Sequence, residues 1–188
     1  MRRAAALLTL LLAAAACHRD SGLPRLFPVP DETLVAETGR QVRLADNKGY
    51  VTVYDFIFTN CAGTCPVMTG TMRRLTKKVE KDAPVRFVSI SIDPARDTPE
   101  VLRAYAEKVR NDGRWMFLTG QREQIVRLSV DGFKLAAGGT PQTAAEPLLH
   151  SSKFAVADKD GVIREYYGGT DPDSAEHVAG TVRELLRE

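Results

Sequence analysis

No apolar run in this chain reaches the ~20 residues that a helix needs to cross a bilayer, so the sequence offers no spanning helix. Cysteine is scarce, with three residues in 188. That is too few for a small disulfide-stapled scaffold. Histidine is equally scarce at three, so few positions can supply an imidazole. Charge of one sign is also missing. The 26 Lys and Arg nearly cancel the 24 Asp and Glu. The formal net charge of +2 falls to zero once Arg2 and Arg3 leave with the leader described next. A neutral domain has no global pull on polyanions, so no nucleic-acid partner is expected. What is present, 44% hydrophobic and 27% charged residues, is the profile of a soluble globular chain without internal repeats.

Residues 1–16 read as an address. Met1-Arg2-Arg3 is a basic start, and residues 4–16 are apolar apart from Thr9. A charged head, a short apolar body and a small-residue end make a secretory signal. Cys17 directly after Ala14-Ala15-Ala16 resembles a bacterial lipoprotein cleavage site, with Ala14 standing where the usual pattern has Leu. Cys17 is then the lipidated first residue of the mature chain. Ordinary signal cleavage nearby is the alternative, and both routes export the protein. The expected location is the periplasmic side of a bacterial membrane, lipid-anchored. Residues 17–30, with Pro24, Pro28 and Pro30, read as an extended tether. Residues 31–188 form one domain, a size that supports a single core.

Within the domain, residues 50–58 (YVTVYDFIF) are a continuous apolar run suited to a buried central strand. Pro66 opens a helix to about residue 81, with Met68, Met72, Leu75 and Val79 on one stripe. Residues 85–92 are the next strand. Thr98 is an N-cap with Pro99 behind it, and Val101, Leu102, Tyr105 and Val109 give that helix its buried side. A short strand at 115–118 and a helix at 121–130 follow. Residues 153–157 and 162–167 flank Asp158-Lys159-Asp160-Gly161, a hairpin signal. The last helix starts at Asp173 or Ser174 with Val178, Val182 and Leu185 inward. Residues 136–147 are a low-complexity loop rich in Ala, Gly, Thr and Pro. Alternating strands and helices, closed by a hairpin and a helix, predict an α/β thioredoxin-like fold. Its central mixed, mainly parallel sheet is flanked by helices on both faces. Such sheets bind ligands beyond the carboxyl ends of their strands.

The chemistry-bearing motif sits at such an end. Cys61-Ala62-Gly63-Thr64-Cys65-Pro66 joins the first central strand to its helix. Cysteines four apart at a helix start can face one way, with Cα atoms about 6 Å apart, within the span of a disulfide. A helix N-terminus favours thiolate over thiol, and Gly63 lets the loop bend. The pair can form a disulfide or chelate a soft metal. Two thiolates plus an imidazole suit copper, especially Cu(I), because soft ligands select a soft ion. Cys₂His with an open position is also a zinc arrangement, and the residues alone leave both metals open. Of the three histidines, His18 lies in the tether and His177 beside the apolar stripe of the last helix. His150, just before a strand, is the one that a thioredoxin-like topology brings beside the cysteine loop. Asp93, ending the second central strand, is a possible nearby carboxylate or simply a turn residue. Met68 and Met72 fit core packing better than ligation.

The sequence resembles the Sco/SenC copper proteins over residues 28–188. The resemblance rests on FIFTNCAGTCPVMTGTM (56–72), SIDPARDTPEVLRAYAEKV (91–109), WMFLTG (115–120), HSSKFAVADKDG (150–161) and YYGG (166–169). It implies a thioredoxin-like fold anchored on the outer face of an energy-transducing membrane. It also implies one bound copper, and a role in assembling the binuclear copper centre of cytochrome c oxidase. Cys61 and Cys65 are the implied thiolate ligands and His150 the implied imidazole. The implied partners are the copper-bearing oxidase subunit, and other copper chaperones or thiol–disulfide proteins. Two positions depart from the common pattern. Ala62 replaces a Pro after the first Cys, and Leu149 replaces an Asp before the His. The second change removes a neighbour able to orient the imidazole.

Two activities follow from the same sulfurs. One is copper delivery without turnover, with thiol oxidation state as a loading switch. The other is thiol–disulfide exchange that reduces cysteines of an oxidase subunit or another exported partner. A peroxide-reducing role has only the fold behind it, and fold alone does not assign function.

Overall fold

The computed structural model describes residues 21–109, 112–135, 137–138 and 149–188, with backbone placement alone at 137, 138, 149 and 150. Cys17, His18 and the leader lie outside the described residues.

Seven consecutive buried residues make the central strand β4, Val51–Ile57. Three strands precede it: β1 Phe27–Pro28, β2 Thr33–Ala36 and β3 Gln41–Arg43. Helix α1, Thr64–Lys78, follows it, then β5 Val85–Ser91, α2 Pro99–Lys108 and β6 Trp115–Thr119. Next come α3 Arg122–Arg127 with a π turn at Leu128–Gly132, the short strands β7 Ala137–Gly138 and β8 Leu149–His150, the hairpin β9 Lys153–Ala157 and β10 Val162–Gly168, and α4 Ser174–Leu186. The main sheet runs β1-β10-β9-β4-β5-β6-β2-β3. It is mixed, as expected. Its parallel part is confined to β4, β5 and β6. The other pairings in that sheet are antiparallel, because hairpin-linked strands extend both edges.

Strand periodicity divides β4 between two layers. Tyr54 and Phe56 share one face and meet the Phe133 ring, at centroid distances of 5.0 and 5.3 Å. The alternate residues Val53, Asp55 and Ile57 face the other way. Met68, Met72, Leu75 and Val79 of the α1 stripe are buried as expected, and so are Val178, Val182 and Leu185 of α4. Helices α1 and α4 pack on each other, and α2 packs on β6. Thr98 caps α2, its side chain accepting from the Val101 N–H, with Pro99 in the first turn. Val101 itself is exposed at 39%, contrary to the expectation. The buried stripe is Leu102 and Ala106 with Tyr105 and Val109 half-covered, and Val101 falls about 100° away from Leu102 around the helix.

The described part of the tether runs along the domain rather than away from it. Phe27 and Pro28 pair with Ile163 and Val162 of β10. The buried Arg164 guanidinium donates to the carbonyls of Pro24 (2.9 Å) and Leu23 (2.6 Å) and pairs with Asp158 (3.1 Å) and Glu188 (2.7 Å).

Candidate functional site

Strand β4 delivers its chain to the carboxyl end of the parallel core, and there the motif begins. The helix starts two residues earlier than Pro66, at Thr64, so Cys65 lies inside its first turn. Cys65 is 1% exposed and belongs to the core, while Cys61 in the preceding loop is half-buried. Cys61 and Cys65 are not joined in a disulfide, and the Cys61 side chain hydrogen-bonds to Cys65. The loop and the helix thus bring the two sulfurs together.

The expectation that the helix terminus raises thiol acidity fails at Cys65. Burial foremost, then the Cys61 thiol, hold its pKa far above the ordinary range, with a backbone hydrogen bond from Phe58 pulling the other way. A helix end offers roughly half a charge, and here desolvation of the thiolate outweighs it. The buried Asp55 on β4 adds to this, since its negative charge also disfavours a Cys65 thiolate. Tyr105 of α2 belongs to the same neighbourhood. Its phenol is raised by burial first and then by the charges of Cys65, Asp55 and Cys61. Its hydroxyl lies 2.8 Å from Thr69 Oγ1, one turn after Cys65.

His150 comes in through the sheet register. Strands β9 and β4 are antiparallel, with Ala157 opposite Thr52 and Ala155 opposite Tyr54. The segment before β9 therefore runs toward the end of the sheet where β4 hands over to the cysteine loop. The His150 backbone pairs with Ala137 in a two-stranded ribbon, so the ends of the low-complexity loop are closed on each other. The His150 side chain lies outside what the structure describes. Among the described residues no cluster of three His, Cys, Asp or Glu side chains is arranged around a metal position.

Other candidates have ordinary partners. Asp93 is buried with its carboxylate on Arg96 at 3.0 Å, and its carbonyl accepts from the Arg96 and Asp97 N–H groups. This is the work of a turn residue leading into the Thr98 cap. Met68 is fully buried, and His177 is exposed on α4 with its ring 6.5 Å from that of Tyr167. Tyr166 donates to the Phe133 carbonyl at 2.7 Å, and Tyr167 pairs with Thr181 at 2.6 Å.

Three residues around the site were given no role by the sequence reading. Asp55 hides within an apolar run. Asp97 binds Thr59. Gly169 of the late YYGG lets its N–H reach the Ser152 carbonyl at 2.6 Å, two residues after His150. A Cβ there would meet Met68 Cγ at 2.9 Å and Ser152 O at 3.0 Å. The glycine therefore ties the segment after His150 to the helix that carries Cys65.

The SCO1/SenC family model matches residues 30–187. This chain is a member of the SCO1/SenC family. It is 32% identical over 163 residues to the SCO1 protein homolog of Bacillus subtilis, covering 85% of this chain and 83% of that protein. The crystal structure of a SCO1/SenC family lipoprotein from Bacillus anthracis superposes with a TM-score of 0.77 at 31% identity, over 85% of this family member and 95% of the other chain. BsSco, a Sco-family cytochrome c oxidase assembly protein with a disulfide switch, superposes with a TM-score of 0.75 at 31% identity, covering 85% and 94%. Bradyrhizobium japonicum ScoI, solved with copper bound, shares the fold at a TM-score of 0.72 and 23% identity, covering 85% and 99%. The thioredoxin-like reading of the fold stands with these neighbours.

Proposed function

We propose that this family member binds one copper ion through the Cys61 and Cys65 thiolates and the His150 imidazole. It then delivers the metal to, or prepares, the binuclear copper site of a cytochrome c oxidase subunit. It acts after export, on the periplasmic side of a bacterial membrane, held there by a lipid on Cys17. The observation that carries the reading is the meeting of two thiols at the exit of β4, the sheet end toward which the segment before β9 runs. Soft sulfur donors fit copper. The half-buried Cys61 leaves one side of the site open to a partner's ligands. Family membership, the copper-bound ScoI of the same fold and the lipoprotein relative support the metal and the anchor.

The test is a copper titration of the reduced protein beside Cys61→Ser/Cys65→Ser and His150→Ala. The expected result is one copper per wild-type chain with Cu(II)–thiolate absorption, none in the double variant, and weakened binding in His150→Ala. Unchanged binding in His150→Ala removes that residue from the site.

A second reading has its own observation. The Cys61–Cys65 hydrogen bond places the thiols for a disulfide, and BsSco carries a disulfide switch. Reduction of a partner disulfide would then need Cys61 and Cys65 but neither His150 nor copper. Metal-independent turnover in His150→Ala favours this reading over delivery.

A further inference from the structure

We infer that Asp97 is a positioning residue for the site, setting where Cys61 stands relative to Cys65 and the His150 segment. The inference rests on the reading of Cys61 as a ligand or redox thiol.

Asp97 lies in the loop between β5 and α2 and is fully buried. Its Oδ1 accepts from the Thr59 hydroxyl at 2.5 Å. Its Oδ2 accepts from the Thr59 N–H at 3.1 Å and from the Ser91 hydroxyl. No cation lies within ion-pair distance among the described residues. A buried carboxylate without a counter-charge is expensive unless donors satisfy it. Here three neutral donors do so, and two of them belong to Thr59.

Thr59 is the point that matters for the site. The last rung between β4 and β5 on this side is the Ile92 N–H to the Ile57 carbonyl at 2.9 Å. Beyond it the chain leaves the sheet and turns toward Cys61. The double bond from Asp97 fixes that departure two residues before the thiol. The antiparallel pairing of β9 with β4 sends the segment before β9 toward this same end of the sheet. Cys65 is held separately, by its place in the core face of α1. The sulfur–sulfur relation is therefore set by how firmly Thr59 is anchored.

A purely local role for Asp97 in shaping its own loop is already covered by other contacts. The Arg96 and Asp97 N–H groups both donate to the Asp93 carbonyl, Asp93 pairs with Arg96, and Thr98 caps α2. None of these uses the Asp97 carboxylate. Beside its local bond to the Ser91 hydroxyl, reaching to Thr59 is what that carboxylate adds.

The test uses the reduced full-length protein and the variants Thr59→Val, Asp97→Ala, Asp97→Asn and Ser91→Ala. Two quantities are read: the Cu(II) dissociation constant from thiolate charge-transfer absorption, and the metal-free equilibrium constant of the Cys61–Cys65 disulfide against glutathione. Thr59→Val and Asp97→Ala are expected to weaken copper binding about 10–100-fold, the range for partners that orient ligands. They are also expected to shift the disulfide constant at least about threefold. Asp97→Asn keeps one acceptor, and the Thr59 hydroxyl can reverse to accept from its amide. It should stay closer to wild type than Asp97→Ala. Ser91→Ala touches the same carboxylate without touching Thr59, and should leave both quantities unchanged. Should Asp97→Ala not fold, the contrast between Thr59→Val and Ser91→Ala decides. A folded Thr59→Val within about twofold of wild type in both quantities overturns the inference. So does a Ser91→Ala that moves as far as Thr59→Val. Should wild type bind no copper, the ligand reading fails, and the disulfide constant alone still tests Asp97.

Discussion

Replacing Asp55 by Asn should change how stability depends on pH, more than it changes stability at any one pH. Asp55 is fully buried in the middle of β4. Its Oδ1 accepts from the Ser89 hydroxyl at 2.5 Å, which in turn accepts from the Trp115 indole N–H at 2.8 Å. Its Oδ2 has no hydrogen-bond partner among the described residues. Burial pushes its pKa from the ordinary 3.8 to about 7, against the opposing pull of the Ser89 hydrogen bond. The folded chain therefore holds a proton on Asp55 that the unfolded chain has released across the interval between these values. The contribution is fully present below pH 3.8 and is lost as pH rises through about 7. At ~1.4 kcal/mol per pH unit the loss across that interval is on the order of 4 kcal/mol. That is a large part of the ~5–15 kcal/mol that holds a typical domain together. Asn has no proton to lose. It keeps an acceptor for Ser89 and leaves an amide where Oδ2 lacked a partner, a roughly constant penalty of about 1–3 kcal/mol. Urea unfolding of the reduced, metal-free proteins at several values from pH 4 to pH 8 is the assay. The Asn variant should gain steadily on wild type as pH rises, then hold level above about pH 7. A difference between the two proteins that does not move with pH would refute the argument, because it would mean that Asp55 titrates alike in the folded and unfolded states.

Two further perturbations test how the rest of the domain is held. Gly169→Ala sets a methyl against Met68 and the Ser152 carbonyl. It should lower stability by about 1–3 kcal/mol, measured by thermal unfolding, and weaken copper binding through the displaced His150 segment. A variant as stable as wild type removes the tie between β10 and that segment. Arg164→Met leaves Glu188 without its guanidinium and Asp158 with that of Arg25 alone, and should cost about 3–5 kcal/mol. Glu188 lends this cluster an acid limb. Burial works against its charge, yet the Arg164 guanidinium and the Ser21 hydroxyl and N–H hold its pKa down to about 2. Its contribution is present above the ordinary 4.5 and lost as pH falls toward 2, so the wild type should lose stability there while Arg164→Met loses less. Parallel acid limbs in the two proteins, followed by circular dichroism, would remove Arg164 from this role.

Much of this architecture is written in local patterns. The apolar run of β4, the Met68–Val79 stripe, the Thr98-Pro99 helix start and the Asp158–Gly161 turn each state their structure within a few residues. The cysteine motif was legible for the same reason, since a strand exit and a helix start lie on either side of it. What escaped reading is what depends on distant contacts. Strands β2 and β3 are four and three residues long and exist through pairing with β6 and with each other. The tether docks because Arg164, some 140 positions later, supplies donors for its carbonyls. Thiol acidity at Cys65 followed burial rather than the helix end, and burial of a single helical position depends on what packs over it. Asp55 and Asp97 drew no reading from the sequence, because their partners Ser89 and Thr59 lie 34 and 38 residues away.

The two ends of the sheet hold different tasks, and the register ties them together. At the carboxyl end of β4 stand Cys61, Cys65 and the His150 backbone. At its amino end Thr52 faces Ala157, just before the turn that carries Asp158. Asp158 is gripped by Arg25 and Arg164, which also hold the chain at residues 23–25. The N-terminal segment therefore joins the domain at the end away from the thiols. A lipid on Cys17 would attach only four residues before Ser21, the first described residue. The length of β4, seven residues at ~3.3 Å each, then separates the anchoring end from the sulfurs. Pairing of β1 with β10 and the Arg164 cluster together hold residues 23–28 on the domain, so a lipid anchor at Cys17 would fix the domain by the end away from the sulfurs rather than through a free linker.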